Sequence, residues 1–181
     1  MIMLLSPTRT MNMSPVSGTY PPATTPQFLS EAERIISGVK KLSVQELKGQ
    51  MNLSQKIAEK AFLYFQQFNS PTTIQKRAVL AYSGAIYQKL DASTFIEKDF
   101  LYAQQHLRII STLYGILRPL DAIKAYRLMF SLKVPNLGTE NLYQFWKPII
   151  TKALIDDIVA DDGILINLAS EEIFKSIDIS K

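Results

Sequence analysis

Polar chemistry is densest in the segment His106-Leu-Arg-Ile-Ile-Ser-Thr-Leu-Tyr-Gly-Ile-Leu-Arg-Pro-Leu-Asp-Ala-Ile-Lys-Ala-Tyr-Arg-Leu128, which contains the only histidine of the 181 residues. The segment also contains three arginines, and a guanidinium is always charged. Each guanidinium must meet a carboxylate, a phosphate or water, so arginines this close together are not expected in an apolar core. We therefore predict that some of Arg108, Arg118 and Arg127 face a cleft.

The same segment predicts a helix-hairpin-helix-like element over about residues 99–125. A helix is expected up to Ser111, followed by a tight turn at Gly115 and a second segment that begins at Pro119. In such hairpins glycine lets the backbone approach a DNA phosphate, which backbone N–H groups then bind. The alternative is a structural turn whose arginines pair with Asp121 and with the carbonyls at the end of the preceding helix.

The rest of the sequence predicts helices and strands in mixed order. Strands are expected at residues 1–5, 78–82, 126–134 and 164–168. Helices are expected at 27–37, after Ser43, from Ser54 to about Phe68, at 142–159 and after Ser170. This pattern predicts an α/β fold, in which one compact domain over residues 1–181 has a mixed sheet and flanking helices.

Composition limits the classes of function. The chain has no cysteine, which excludes disulfides, thiolate metal sites and cysteine nucleophiles. It also lacks the common hydrolase and zinc-protease motifs, so no catalytic residue, metal ligand or cofactor is predicted. No apolar run approaches the roughly 20 residues of a membrane helix, and a cytoplasmic location is expected. The net charge of +4 permits an anionic partner such as DNA.

The segment 106–128 also carries a family resemblance. The pattern His-x-Arg-x-x-Ser-x-x-Tyr-Gly-x-Leu-Arg-Pro-Leu-Asp, followed by Tyr-Arg-Leu, resembles the signature of the bacterial peroxide-stress proteins of the YaaA type. Further matches lie at Leu5-Ser6-Pro7, at 142–146 (Leu-Tyr-Gln-Phe-Trp) and at 166–170 (Ile-Asn-Leu-Ala-Ser), in the same order along the chain. The resemblance implies a DNA-binding protein that protects against hydrogen peroxide and is associated with low free intracellular iron.

Several positions depart from that family pattern. Arg9 replaces a usual lysine, Ala85 and Met129 replace acidic residues, and Ile173 replaces an aromatic residue. The loss of the acids at 85 and 129 argues against a general-base, ion-pair or metal role there. The chain ends at Lys181, where family members continue, so we expect a truncated protein or a fragment.

Polar residues after apolar strands predict one concave basic surface. In α/β sheets, ligands bind beyond the carboxyl ends of the strands. The residues predicted to bind DNA or another anion are Arg9, Arg108, Tyr114, Gly115, Arg118, Arg127 and Lys175. Those predicted to line the cleft are Ser6, His106, Asn167 and Ser170, although a structural hydrogen-bonding role for His106 is the alternative.

The expected partner is DNA, bound through its phosphates without sequence preference. Tyr114, Tyr126, Tyr143 and Trp146 are either stacking platforms for bases or, as we favour for Trp146, core residues. The competing hypothesis is an uncharacterised enzyme that acts on nucleotides or nucleic acid in a basic cleft.

Overall fold

The computed structural model describes residues 1–180, which form a mixed sheet with helices packed around it. Strand β1 (Ile2–Leu5) pairs in parallel with β3 (Leu107–Ser111) and with β6 (Leu165–Asn167). Strand β4 (Gly115–Leu117) pairs antiparallel with β3, which gives the order β4-β3-β1-β6. Strands buried on both faces have nearly continuous apolar sequences, as β1 does, and β3 is buried at all five positions although it includes Arg108 and Ser111. The predicted α/β class and mixed sheet are confirmed.

The remaining elements surround this sheet. Strands β2 (Gln75–Arg77) and β5 (Ala122–Lys124) form a separate antiparallel pair. The helices are α1 (Leu29–Val39), α2 (Val44–Met51), α3 (Gln55–Gln67), α4 (Ala78–Ala81), α5 (Ala85–Leu90), α6 (Glu97–His106), α7 (Leu142–Ala160) and α8 (Glu171–Phe174), with a 3₁₀ turn at Ala92–Thr94. Ser43 and Glu46 form the predicted capping box of α2, in which each side chain binds a backbone N–H of the other residue.

Helix α7 packs against the hairpin of β3 and β4 through Trp146. The indole is fully buried, and its N–H donates to the carbonyl of Thr112 at 3.0 Å. Gly115 has a φ of 73°, and a Cβ atom there would lie 2.5 Å from the Trp146 ring. Gly115 therefore allows both the left-handed backbone and the close approach of the ring, and Trp146 is a core residue as favoured above.

The prediction of a helix-hairpin-helix-like element over residues 99–125 is wrong. Helix α6 ends at His106, residues 107–111 are a strand, and the next segment forms β4 and then β5. Leu107, Ile109 and Ile110 are buried in the central part of the sheet, where branched side chains pack well. Pairing of this segment with β1 overrides its local helical preference.

Two other predicted strands also differ in the structure. In place of the strand expected at 78–82, Ala78–Ala81 form the short helix α4, whose alanines favour helix. Residues 126–134 alternate between buried and more exposed positions, as a strand would, but belong to no strand in the described chain. Hydrogen bonds from outside the segment replace strand pairing at some of its backbone groups. For example, the hydroxyl of Thr112 donates to the carbonyl of Leu128.

Candidate functional site

The parallel strands give the central sheet two chemically different edges. We call the edge at which β1, β3 and β6 end the carboxyl edge, and the edge at which they begin the amino edge. The loop from Ser6 to Arg9 follows β1 at the carboxyl edge, Thr112 follows β3, and Ser170 follows β6. Polar residues from separate parts of the sequence therefore meet at one edge, as the strand-end rule predicts.

A cleft of about 500 Å³ opens at the carboxyl edge. Its walls come from the loop after β1, the loop between α2 and α3, the segment after Tyr126, and the start of α8. We call it the carboxyl-edge cleft, and its polar lining comprises Ser6, Thr8, Arg9, Asn52, Ser54, Thr112, Tyr126, Arg127, Ser170 and Glu172. This is the volume of a small-molecule site, since such sites span roughly 300–1,000 Å³.

Two arginines lie side by side in this cleft. The Nη1 atom of Arg127 donates to the backbone carbonyl of Arg9 at 2.9 Å. Burial, together with the charge of Arg9, lowers the pKa of Arg127 from its usual value. Within residues 1–180 neither guanidinium forms an ion pair. The arginine pair therefore concentrates positive charge that a bound anion would neutralise.

Buried hydroxyl groups fix the backbone that carries Arg127. The Tyr126 hydroxyl lies 2.8 Å from Ser111 Oγ and 2.7 Å from the Tyr82 hydroxyl. Ser111 Oγ in turn accepts the N–H of Tyr114 at 2.9 Å. Burial raises the pKa of both Tyr82 and Tyr126, so both phenols stay neutral near pH 7. The Tyr126 hydroxyl, from a residue that lines the cleft, thus belongs to a buried and uncharged chain of hydrogen bonds.

A second set of hydrogen bonds joins the loop after β1 to the start of α8. The Ser170 N–H donates to Ser6 Oγ at 2.8 Å. The hydroxyl of Tyr87, from α5, donates to the Ser6 carbonyl at 2.8 Å. These bonds hold the two loops at a fixed separation across the carboxyl edge.

The amino edge holds its charges in internal pairs. Arg108 is only 4% exposed, and its Nε donates to a carboxylate oxygen of Asp157 in α7. Its Nη1 donates to the carbonyls of Gln104, Gln105 and Leu107 at 2.9–3.2 Å. Arg108 thus binds carbonyls at the end of the preceding helix, as the structural alternative expects, but its carboxylate partner is Asp157 and not Asp121.

Arg118 also lies at the amino edge, which makes the prediction of one basic surface wrong. Strand β4 runs antiparallel to β3, so the chain returns to the amino edge before Arg118. The Arg118 guanidinium lies 3.7 Å from Asp157, and its backbone N–H donates to Asp121 at 2.8 Å. His106 is at this edge too, where its Nδ1 lies 3.1 Å from Asp161.

The other predicted residues lie outside the cleft. Tyr114 is buried, and its hydroxyl accepts the N–H of Lys124. Gly115 contacts Trp146, Lys175 is exposed beyond α8, and the Asn167 side chain accepts the N–H of Ala169. The structure thus brings together Ser6, Arg9, Arg127 and Ser170, whose roles in binding stay predictions.

Sequence reasoning missed the contribution of the loop between α2 and α3. Asn52 has a left-handed φ of 48° after α2, and with Leu53 and Ser54 it lines the cleft. An asparagine directly after the end of a helix does signal a left-handed turn. Its position opposite the loop after β1 depends on tertiary packing, for which no local signal exists. The whole run from Tyr126 to Phe130, which includes Arg127 and Met129, lines the cleft.

The protein is thus a mixed α/β protein with a basic, hydroxyl-lined cleft at the carboxyl edge of its sheet. The model of the family described as "Peroxide stress protein YaaA" matches residues 1–181, and the chain belongs to that family.

Proteins of several bacteria are similar to this chain. A UPF0246 protein of Parabacteroides distasonis is 41% identical over 174 residues, which cover 96% of this chain and 68% of that protein. UPF0246 proteins of Bacteroides fragilis and Bacteroides thetaiotaomicron are each 42% identical over 173 residues, which cover 95% of this chain and 66% of theirs. The chain thus spans about two thirds of the length of these relatives.

Residues 1–180 contain no group of three or more histidine, aspartate or glutamate side chains placed to hold a metal ion. None of the helices in this part of the chain is both long and apolar enough to cross a membrane.

Proposed function

We propose that this chain acts in the cytoplasm against hydrogen peroxide stress by binding DNA phosphates, without sequence preference, at the carboxyl-edge cleft. The observation that carries the proposal is the adjacency of Arg9 and Arg127 without an acidic partner in the described chain. Guanidinium groups match phosphate geometry, and phosphate contacts bind DNA without distinguishing its sequence. The family description supplies the connection to peroxide stress.

Phosphate binding offers a physical route from DNA contact to peroxide protection and to iron. DNA carries a condensed layer of cations, and a protein that neutralises phosphates releases those cations. Ferrous ion is one such cation, and ferrous ion converts peroxide into hydroxyl radical. Displacement of iron from DNA would lower radical formation beside the bases, so the iron association that the family resemblance implies would follow indirectly.

Fluorescence polarisation with a labelled DNA duplex at several salt concentrations tests this proposal. Arg9→Gln and Arg127→Gln are each expected to lower the slope of log affinity against log salt by about 0.9. Arg118→Gln is the matched control, because it removes an equal charge at the amino edge. A parental slope in both cleft variants would contradict the proposed contacts.

Catalysis on nucleotides or nucleic acid is the second candidate function. It is favoured by the small volume of the cleft and by Glu172, an acidic residue that lines the same cleft as Arg127. Incubation with labelled oligonucleotides, followed by analysis of released bases and shortened strands, separates the candidates. Product formation that disappears in Glu172→Gln would favour catalysis over binding alone.

A further inference from the structure

The carboxyl-edge cleft has an apolar side as well as a cationic one. Leu53, Ile57, Met129 and Ile173 line it, and we call these four residues the apolar wall. Ile57 is 37% exposed, and it lies off the buried face of α3, which is formed by Ala58, Ala61 and Phe65. Core packing therefore does not explain why position 57 is apolar. A single exposed apolar residue is common and would need no explanation by itself. Here it adds to three half-buried apolar side chains in one concave site.

We infer that the carboxyl-edge cleft receives a single unpaired nucleotide of DNA, with its phosphate at Arg9 and Arg127 and its base against the apolar wall. This inference rests on the proposed function and specifies the form of DNA that the site prefers. The charge of the arginine pair complements a phosphate, and a base presents an apolar face that can be removed from water.

The size of the cleft separates an unpaired nucleotide from a duplex. About 500 Å³ is enough for a ligand of nucleotide size. A duplex, whose major groove alone is about 12 Å wide, is too large to enter and can only lie across the mouth of the cleft. The duplex would then contact the arginines and leave the apolar wall in water. An extrahelical nucleotide would reach both sides, at little unpairing cost if it has no partner base.

Polar groups near the apolar wall are available to the edge of a base. Ser54 is the N-cap residue of α3, but its hydroxyl makes no capping hydrogen bond. Asn52 is exposed, and both side chains line the cleft beside Leu53. An amide and a hydroxyl can each donate and accept, so they suit more than one base. This arrangement favours recognition of an unpaired base without strict selection of its identity.

Three labelled DNA probes of equal length test the inference by fluorescence polarisation. They are a perfect duplex, the same duplex with one extrahelical nucleotide, and the same bulge without its base. The bulged probe is expected to bind about tenfold more tightly than the duplex, and the abasic bulge to lose that preference, as base contacts of this kind imply. Equal binding of all three probes, with a normal salt slope, would overturn this inference and leave the proposed function standing. Absence of binding to every probe would overturn both.

A pair of variants on α3 locates the effect. Ile57→Ser is expected to reduce the preference for the bulged probe by about fivefold, with little change in affinity for the perfect duplex. Leu63→Ser is the control, because Leu63 is 53% exposed on the same helix and does not line the cleft. A bulge preference that survives Ile57→Ser unchanged would show that the base does not contact the apolar wall.

Discussion

The amino and carboxyl edges of the central sheet both carry arginines, but they hold them in opposite ways. At the amino edge, Arg108 is buried and binds a carboxylate and three carbonyls. At the carboxyl edge, Arg9 and Arg127 lie together, and neither has an ion-pair partner among residues 1–180. The difference teaches that a cluster of arginines indicates an anion site only where the fold provides no internal partner for them.

Loss of Arg108 should have the largest effect on stability. Arg108→Met leaves Asp157 without its main partner and three carbonyls without a donor, so the free energy of unfolding is expected to fall by about 3–5 kcal/mol. Arg118→Gln is the control at the same edge, because Arg118 is 47% exposed on its side chain and should cost under about 1 kcal/mol. Denaturant unfolding measures both values, and similar losses would remove the distinction between a structural and a surface arginine.

The salt dependence of the proposed DNA binding gives a second test of the same comparison. Folded Arg108→Met protein should keep the parental slope of log affinity against log salt, because its guanidinium is directed into the protein. A reduced slope in this variant would mean that the amino edge also contacts DNA.

Gly115→Ala tests whether the glycine at the carboxyl edge serves packing. A loss of about 3 kcal/mol is expected, since left-handed strain and overlap with the Trp146 ring each cost on the order of 1–3 kcal/mol. Gly138→Ala is a matched control, because Gly138 has a φ of 80° and its added Cβ would meet no atom within 4 Å. Equal losses in the two variants, measured by chemical denaturation, would show that backbone strain alone explains the glycine.

Tyr126→Phe tests the buried hydroxyl chain that begins at the carboxyl-edge cleft. The change leaves buried hydroxyls of Ser111 and Tyr82 with fewer partners, which is expected to cost about 2 kcal/mol. Tyr143→Phe is the comparison, because that hydroxyl donates to a carbonyl of Glu172 at a more exposed position and should cost under about 1 kcal/mol. A negligible loss in Tyr126→Phe would mean that the buried hydroxyl chain does not stabilise the fold.

Titration of Asp121, at the amino edge, should have the smallest effect on stability, and it should appear as a pH dependence of the free energy of unfolding. Burial raises the pKa of this carboxyl, despite the hydrogen bonds it accepts. The folded state therefore holds the proton more tightly than the unfolded state, in which the pKa of an aspartate is about 3.9. The contribution of Asp121 to stability should fall as pH rises from about 4 through the folded pKa.

Asp121→Asn isolates this titration, because asparagine has no proton to lose in that range. The free energy of unfolding of the parent minus that of the variant is expected to decrease between pH 4 and pH 7. A difference that increases with pH would mean that the hydrogen bonds from Thr24 and Arg118 outweigh burial.

Local signals in the sequence were sufficient for much of the fold. The capping box of Ser43 and Glu46 placed α2, and the apolar runs at residues 1–5 and 164–168 placed β1 and β6. The strand at 107–111 was missed, because its pairing with β1 joins segments that are distant in sequence. Helical preference is a local property, whereas that pairing is a property of the whole sheet.

The same distinction explains the outcome for the candidate site. Ser6 and Ser170 could be predicted, since each closely follows a strand whose end the sequence marks. Arg118 was misplaced because its position depends on the direction of β4, which is reversed by the three-residue turn at 112–114 that precedes Gly115. Asn52 and Ser54 could not be placed, because no sequence pattern says which loops face each other across a sheet edge.

The hydrogen bond from Arg127 to the Arg9 carbonyl lowers the entropy that the Arg127 side chain can still lose when a ligand binds. A long side chain that is free in solution loses rotational freedom when a ligand immobilises it, at about 0.5–1.5 kcal/mol for each such side chain. Arg127 already has one guanidinium nitrogen fixed by the backbone, so much of that ordering has occurred during folding. An arriving phosphate would therefore meet a donor that is preorganised, and fewer encounters would be lost to a wrongly oriented side chain.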